Sequence, residues 1–277
     1  ACYGDYQVLK GGYYTHGSGP PFCTAAFMHG MYKWQAMGCK AEIWFNNMVP
    51  YGAYRGYGNP ENTFGVEQII DRACNKLGID PIEWRKKWAK GIGDVTWLKG
   101  VNFASTGLDD CIKEAKKKIG WDKKKKEYAK QSGTKRRGLG IGVMQHTSGA
   151  WPMLLEHTNV IMRMNEDATV EVMASCSDLG TGGHTAITQI AAEALNCSLD
   201  EVHLKCCDSD VNGFDIGAHA SRTIYCIGRA VIQTAELLRK ELLERAAKLL
   251  QIKVEDVEFA ADKEIVCKWD PSKHINI

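Results

Sequence analysis

None of the eleven cysteines in this 277-residue chain forms a C-x-x-C pair, and the only adjacent two are Cys206 and Cys207. Zinc ribbons and iron–sulfur sites need clustered thiolates at short spacing, so neither is encoded here. Disulfide scaffolds belong to short, loop-rich secreted chains, which leaves reduced thiols packed as small apolar side chains. No apolar run is long enough to span a bilayer. The first residues, Ala1-Cys2-Tyr3-Gly4-Asp5, lack the basic start and apolar core of a signal peptide. They also lack an initiator Met, so a processed end or the start of a fragment is expected. These absences point to the cytoplasm and away from a membrane. A phosphate-binding Gly-Lys-Ser/Thr loop and the dinucleotide glycine fingerprint are missing too.

Net charge is small, at +2, but unevenly placed. Residues 113–137 carry twelve Lys or Arg against three acids. Only two aromatics, Trp121 and Tyr128, accompany them, and no nucleic-acid reader motif is present. The stretch reads as a solvated helix end and a linker, with no nucleic-acid partner.

What is present is an α+β pattern of mixed sheets with helices. Residues 40–47 alternate as a strand. A helix is expected from about Glu61, with Phe64, Ile69, Ile70, Ala73 and Leu77 as its apolar stripe and Gly78 as its stop. Asp80-Pro81 starts a second helix, and Leu108 to Ile119 a third. After the basic stretch, RGLGIGVMQ reads as a strand onset. Asn159 to Met164 and Ala168 to Cys176 read as a hairpin turning at 165–167. Helix Thr185–Leu195, strand Val202–Cys206 and a long helix from about Ser221 to Leu250 follow, and the last residues enter a further strand. The organisation expected is a first region over 1–120, a basic linker over 121–137 and a second region over 138–277.

Three glycine-hinged loops suggest a ligand. SDLGTGGHT (177–185) sets Gly180, Thr181, Gly182 and Gly183 before a helix, where free N–H groups and the helix dipole favour an anion. DIGAHASRT (215–223) places Gly217, Ala218 and Ala220 where a ligand can approach backbone, with Ser221 and Thr223 as hydroxyl donors. YGAYRGYGNPE (51–61) presents Arg55, whose planar charge suits an anion, and Tyr57, which offers a flat ring. Each loop alone reads equally well as an ordinary turn; together they suit one large, planar, anionic ligand. No short His spacing suits a metal.

GAYRGYGNPE with FGVEQIIDRACNKLGIDPIEWR, then RGLGIGV, then SDLGTGGHTAITQIAAEALNCSLDEVHL, then DSDVNGFDIGAHASRTIYCIGRAV together resemble the large, molybdenum-binding subunit of the xanthine dehydrogenase and aldehyde oxidase family. The resemblance is nearest to its hydroxybenzoyl-CoA reductase-like branch. It implies a molybdenum–molybdopterin cofactor, in the cytosine dinucleotide form, with 2Fe-2S and FAD centres on partner subunits. It also implies that this chain is an internal piece, the other portion of the molybdenum subunit being a partner. Arg55, Gly180, Thr181, Gly182, Ala218, Ala220, Ser221 and Thr223 then match cofactor contacts. Tyr57, His146 and Trp151 match positions lining the pocket for a small organic substrate, and no side chain holds the metal directly.

The departures are informative. The family's general-base glutamate follows a glycine, and no Gly-Glu dipeptide occurs here, so no catalytic residue is expected in this chain. Thr181 stands where the family has glutamine between the two glycines. No Arg precedes Arg55, which argues against the purine branch, and the loop lacks the cysteine of the carbon monoxide branch. The expected reaction is oxygen insertion from water, or its reverse, at an electron-poor aromatic, heterocyclic or aldehyde carbon. The alternative is a scaffold or cofactor-storage module that kept the fold.

Overall fold

The computed structural model describes residues 1–13, 19–96, 101–149, 156–260 and 264–277. It divides into two compact units, Ala1–His146 and Thr147–Ile277. In the first, strand β1 (Cys2–Gly11) leads through helix α1 (Gly19–Gly30) to strand β2 (Met37–Phe45). The two strands pair in parallel, from Cys2 opposite Met37 to Leu9 opposite Trp44. Neither β1 nor α1 was legible: Gly4, Asp5 and Gln7 interrupt the strand's apolar pattern, and Pro20 and Pro21 open the helix. Proline is tolerated there because first-turn N–H groups have no helical partner.

Helix α2 (Asn59–Leu77) ends at Gly78, in the left-handed region at φ 69°. Asp80 then caps helix α3 (Pro81–Trp88), its carboxylate accepting from the N–H groups of Ile82 and Glu83 at 2.9 and 3.3 Å. Helix α4 (Leu108–Ile119) stops at Gly120, which also opens helix α5 (Trp121–Tyr128).

Three expectations change here. The basic stretch begins as a helix, α5, because buried Trp121 packs with Ile82 and Ile112 and anchors it. RGLGIGV forms no strand: Val143 N–H donates to the Glu67 carboxylate at 3.0 Å. Its alternation is real, since Leu139, Ile141 and Val143 pack on the Ile82–Ile112–Trp121 cluster. The stripe expected on α2 is largely reversed. Phe64, Ile69 and Leu77 are exposed, whereas Asn59, Asn62 and Glu67 are buried beside Ile70 and Cys74. Polar partners of Asn59 and Glu67, described below, explain why for those two.

In the second unit, strands β3 (Val160–Met164) and β4 (Val170–Ala174) form the expected antiparallel hairpin. Helix α6 (Gly183–Leu195) crosses over to strand β5 (Val202–Lys205), which joins β4 in parallel. Helix α7 (Arg222–Leu250) packs on this sheet through Ile227 and Val231, against Val172, Ala174, Ile187 and Ala191. Strands β6 (Val257–Phe259), β7 (Glu264–Cys267) and β8 (Asp270–Asn276) close an antiparallel sheet over Ala246 and Ala247 of α7.

The helical reading of residues 121–128 is testable by chemical unfolding. Trp121→Ala should cost about 3–5 kcal/mol through lost burial and a cavity. Lys123→Ala and Lys126→Ala, both on exposed positions, should stay within about 0.5 kcal/mol. A Trp121 variant as stable as the parent would restore the linker reading.

Candidate functional site

The glycine loop between β4 and α6 is held by its own acid. The Asp178 carboxylate accepts from Gly180 N–H at 2.8 Å and Thr181 N–H at 3.0 Å. Partial desolvation raises its pKa, but bonds from the amides of Gly180, Thr181, Gly182 and His184 outweigh it, so the group lies below the usual carboxylate range. Gly182 caps α6 at φ 73°, with no side-chain cap. A β-carbon built on it would meet nothing within 4 Å, so this backbone faces open space. Gly180, Thr181 and Gly182 are all exposed.

His184 serves as an anchor of this loop. Its Nε2 lies 2.8 Å from the Cys176 carbonyl and 3.3 Å from Cys206 Sγ. Burial, and then the neighbouring thiols Cys206 and Cys207, push Cys176 up to about 11. A protonated thiol is a poor metal ligand. Among the described residues no group of three or more His, Cys, Asp or Glu is arranged for a metal ion.

The second loop, before α7, is strained and tightly held. Ala220 and Ser221 lie at φ 41° and 62°, left-handed values that cost non-glycine residues about 1–2 kcal/mol each. What holds them is Arg222, which the sequence reading passed over. Its fully buried guanidinium bonds both Asp215 oxygens at 3.0 and 3.1 Å, the Gly217 carbonyl at 3.1 Å and the His157 carbonyl at 2.9 Å. Its Nε donates to Glu156. The Asp215 carboxylate also accepts from Gly217 N–H at 2.7 Å. The signal for this residue was faint: an Arg at the first position of a helix, where a cation opposes the dipole, needs a local reason.

Ser221 makes no cap bond, and neither its hydroxyl nor that of Thr223 bonds another described residue. Both therefore remain available as donors. Ala218 and Ala220 are half-buried in the same loop.

Helices α6 and α7 run parallel. A β-carbon on Gly228, about two turns into α7, would meet Ile190, about two turns into α6, at 2.9 Å. Further along both helices, Arg239 donates to the Leu195 carbonyl at 3.1 Å. Both N-termini thus open at the same end of the unit.

In the first unit, Arg55 is exposed and bonds no other described residue. Tyr57, at φ 52°, is half-buried, and a β-carbon on Gly19 would collide with its phenol ring. Its ring therefore packs the loop on α1, and Tyr54, 73% exposed, is the loop's open aromatic. His146 stacks on Phe27 at 4.9 Å between centroids, with its Nδ1 3.4 Å from Asn59 Nδ2. Burial lowers its pKa, favouring the neutral ring. Asn59 also donates to the Gln145 carbonyl. Trp151 lies outside the described residues.

Sequence models of two domains, each described as a molybdopterin cofactor-binding domain, match residues 1–89 and 114–276. The xanthine dehydrogenase molybdenum-binding subunit of Escherichia coli O157:H7 is 33% identical over 247 residues, covering 89% of this chain and 33% of that protein. The nicotine 6-hydroxylase large subunit of Paenarthrobacter nicotinovorans is 24% identical over 255 residues, covering 82% and 31%. Among solved structures, quinoline 2-oxidoreductase from Pseudomonas putida 86 matches with a TM-score of 0.70 at 22% identity, over 98% of this chain and 36% of its own. The aldehyde oxidoreductase of Desulfovibrio gigas matches at 0.69 and 24%, over 86% and 26%. The chain spans about a third of the length of the curated relatives it matches.

Removing one partner of a buried ion pair strands the other charge, at a cost of about 3–5 kcal/mol. Arg222→Met should therefore destabilise the second unit by that amount in urea titrations, and Arg222→Lys should recover little, since one ammonium cannot replace the planar fork. Asp178 gives a pH signature. Its folded pKa is depressed, so its support for the loop is complete above the unfolded carboxylate range and is lost as pH falls through the folded value. The amide resonances of Gly180 and Thr181 should follow that titration, and in Asp178→Asn they should not.

Proposed function

Since the chain belongs to the molybdopterin cofactor-binding family, we propose that it forms part of the catalytic subunit of a molybdenum hydroxylase. The observation that carries this reading is the pair of parallel helix starts in the second unit. Both caps are left-handed and lack a side-chain bond, and both open toward the same end. Such ends hold anionic groups through backbone N–H donors. The residues present fit a pterin cofactor bearing phosphate. Amides at the start of α6 and α7 meet its oxygens, Ser221 and Thr223 donate hydroxyls, and Gly182 leaves room for close approach. Arg55 is an exposed, planar cation suited to an anionic group. Thr181 offers a shorter side chain than the family's glutamine.

When bound, the cofactor supplies the two-electron chemistry of inserting water-derived oxygen at an electron-poor carbon, or of its reverse. This chain's residues bind and orient. The neutral His146 ring, fixed by Phe27 and Asn59, and the exposed Tyr54 are the groups of this loop region offered to a small aromatic, heterocyclic or aldehyde substrate, with Tyr57 packing the loop behind them. The general base comes from outside this chain. The relatives' names include subunits of complexes, which supports partner subunits; iron–sulfur and FAD centres on them, and a second portion of the molybdenum subunit, rest on the family resemblance. Eleven free thiols support a reducing compartment, and among the described residues no helix is long and apolar enough to cross a membrane. The cytosine dinucleotide form rests on the bacterial resemblance alone.

The test is molybdenum and pterin content of the purified assembly. Arg55→Lys loses the planar fork, and Gly182→Val places a branched residue at φ 73°. Each should lower occupancy by one to two decades, the effect of losing about 1.5–3 kcal/mol. Unchanged occupancy in both variants, with the fold intact, favours the scaffold reading.

A further inference from the structure

A parallel strand pair is ordinarily covered on both faces, because its crossovers lie over the sheet. β1 and β2 break that rule. On one face the register sets Cys2, Tyr6 and Val8 beside Met37, Ala41 and Ile43, with Cys39 in the same row. The β1 residues are half-buried, and the Tyr6 hydroxyl lies 3.7 Å from Met28 of α1. Met37, Cys39, Ala41 and Ile43 are all exposed. Phe45, 62% exposed, continues the same row of β2; on the other face Leu9 and Trp44 stand side by side, 52% and 54% exposed.

The edge of β2 is equally open. Among the described strands it pairs only with β1. It is nine residues long and contains no proline. Its one lysine, Lys40, is engaged by Glu42. Edge strands that remain in water are short, bulged, proline-bearing or charged; β2 is long and proline-free, and its two charged side chains, Lys40 and Glu42, pair with each other. An isolated pair of strands is at best marginal in water.

We propose that the outer edge and faces of β2 are the docking site for an extended segment, with its crossover, from the remainder of the molybdenum subunit. This rests on the family reading. The relatives supply the occupant: they are about three times as long as the matched segment, so each carries chain that can lie on this sheet in one-to-one ratio. The segment that fits is a β-strand with apolar residues at alternate positions, meeting the row Met37, Cys39, Ala41 and Ile43. Backbone pairing gives it register, and the apolar row gives it facing.

The test uses the native assembly purified through this chain. Hydroxyl-radical footprinting, normalised to the urea-unfolded sample, should protect Trp44 about tenfold or more, and a lower protection overturns the proposal. A lysine cross-linker applied at Lys40 should yield peptides that align with the relatives outside the matched third. Cross-links only to a second copy of this chain, or to an iron–sulfur or flavin subunit, overturn it as well. Ile43→Lys should reduce co-purified partner about tenfold while Ile69→Lys on α2, a more exposed isoleucine, does not; equal loss in both also counts against docking at β2. Molybdenum is measured on the same samples. Protection of Trp44 without molybdenum removes the cofactor reading and leaves the docking site. Molybdenum without protection does the reverse.

Discussion

A guanidinium taken out of water must have its charge and its N–H groups met, and each unit is organised round one such group. In the first unit Arg85 is fully buried. It bonds Glu67 at 2.8 Å, Asp71 at 2.8 Å and the Pro81 carbonyl at 3.1 Å. Glu67 in turn accepts from Tyr32 at 2.6 Å and from Val143 N–H. One carboxylate thus joins α2, α3, the segment after α1 and the approach to His146. Burial and that carboxylate together raise the Tyr32 pKa, so its hydroxyl stays a donor. In the second unit Arg222 does the same for the loop before α7. Replacing such pairs by apolar residues is often neutral for stability, so their worth here lies in fixing loops to scaffolds.

The two loops of the second unit reach similar ends by different means. The glycine loop adopts left-handed geometry at no steric cost, and Asp178 arranges its amides. The loop before α7 uses alanine and serine in the same region of backbone space and is strained for it. Strain of that kind survives only where the surroundings over-determine the conformation, and the Arg222 bonds supply that. On the proposed reading the difference has a consequence. Amides engaged by Asp178 must share with, or be released to, an incoming anion, whereas the start of α7 is already set.

Much of the fold was legible because it follows local chemistry. Gly78, Asp80 and Gly120 placed helix boundaries, and the 165–167 turn placed the hairpin. What was not legible depended on tertiary partners. The α2 stripe failed because Glu67 and Asn59 are drawn inward by Arg85, Tyr32 and Gln145, which no helical period reveals. RGLGIGV alternates like a strand but meets side chains instead of a ladder. Of the candidate site, the loops were readable from their glycines and hydroxyls. The residues that hold them, Arg222 and Asp178, were not, because their partners are a carboxylate seven positions away and amides within one turn. Tyr57 shows the limit from the other side: an aromatic on a glycine-hinged loop looks open in sequence, and α1 closes it.

Magnitudes also decide how much weight Thr181 bears against cofactor binding. The conformation of the glycine loop is set by Asp178 and by the left-handed caps, none of which involves the side chain at position 181. A threonine in place of glutamine therefore leaves the backbone donors where they are and removes one side-chain hydrogen bond. That bond is worth about 0.5–1.5 kcal/mol, roughly a tenfold change in affinity at most. On the proposed reading the backbone amides and the Ser221 and Thr223 hydroxyls together outweigh it. On that reading, then, the substitution tunes the grip of this loop and does not abolish it.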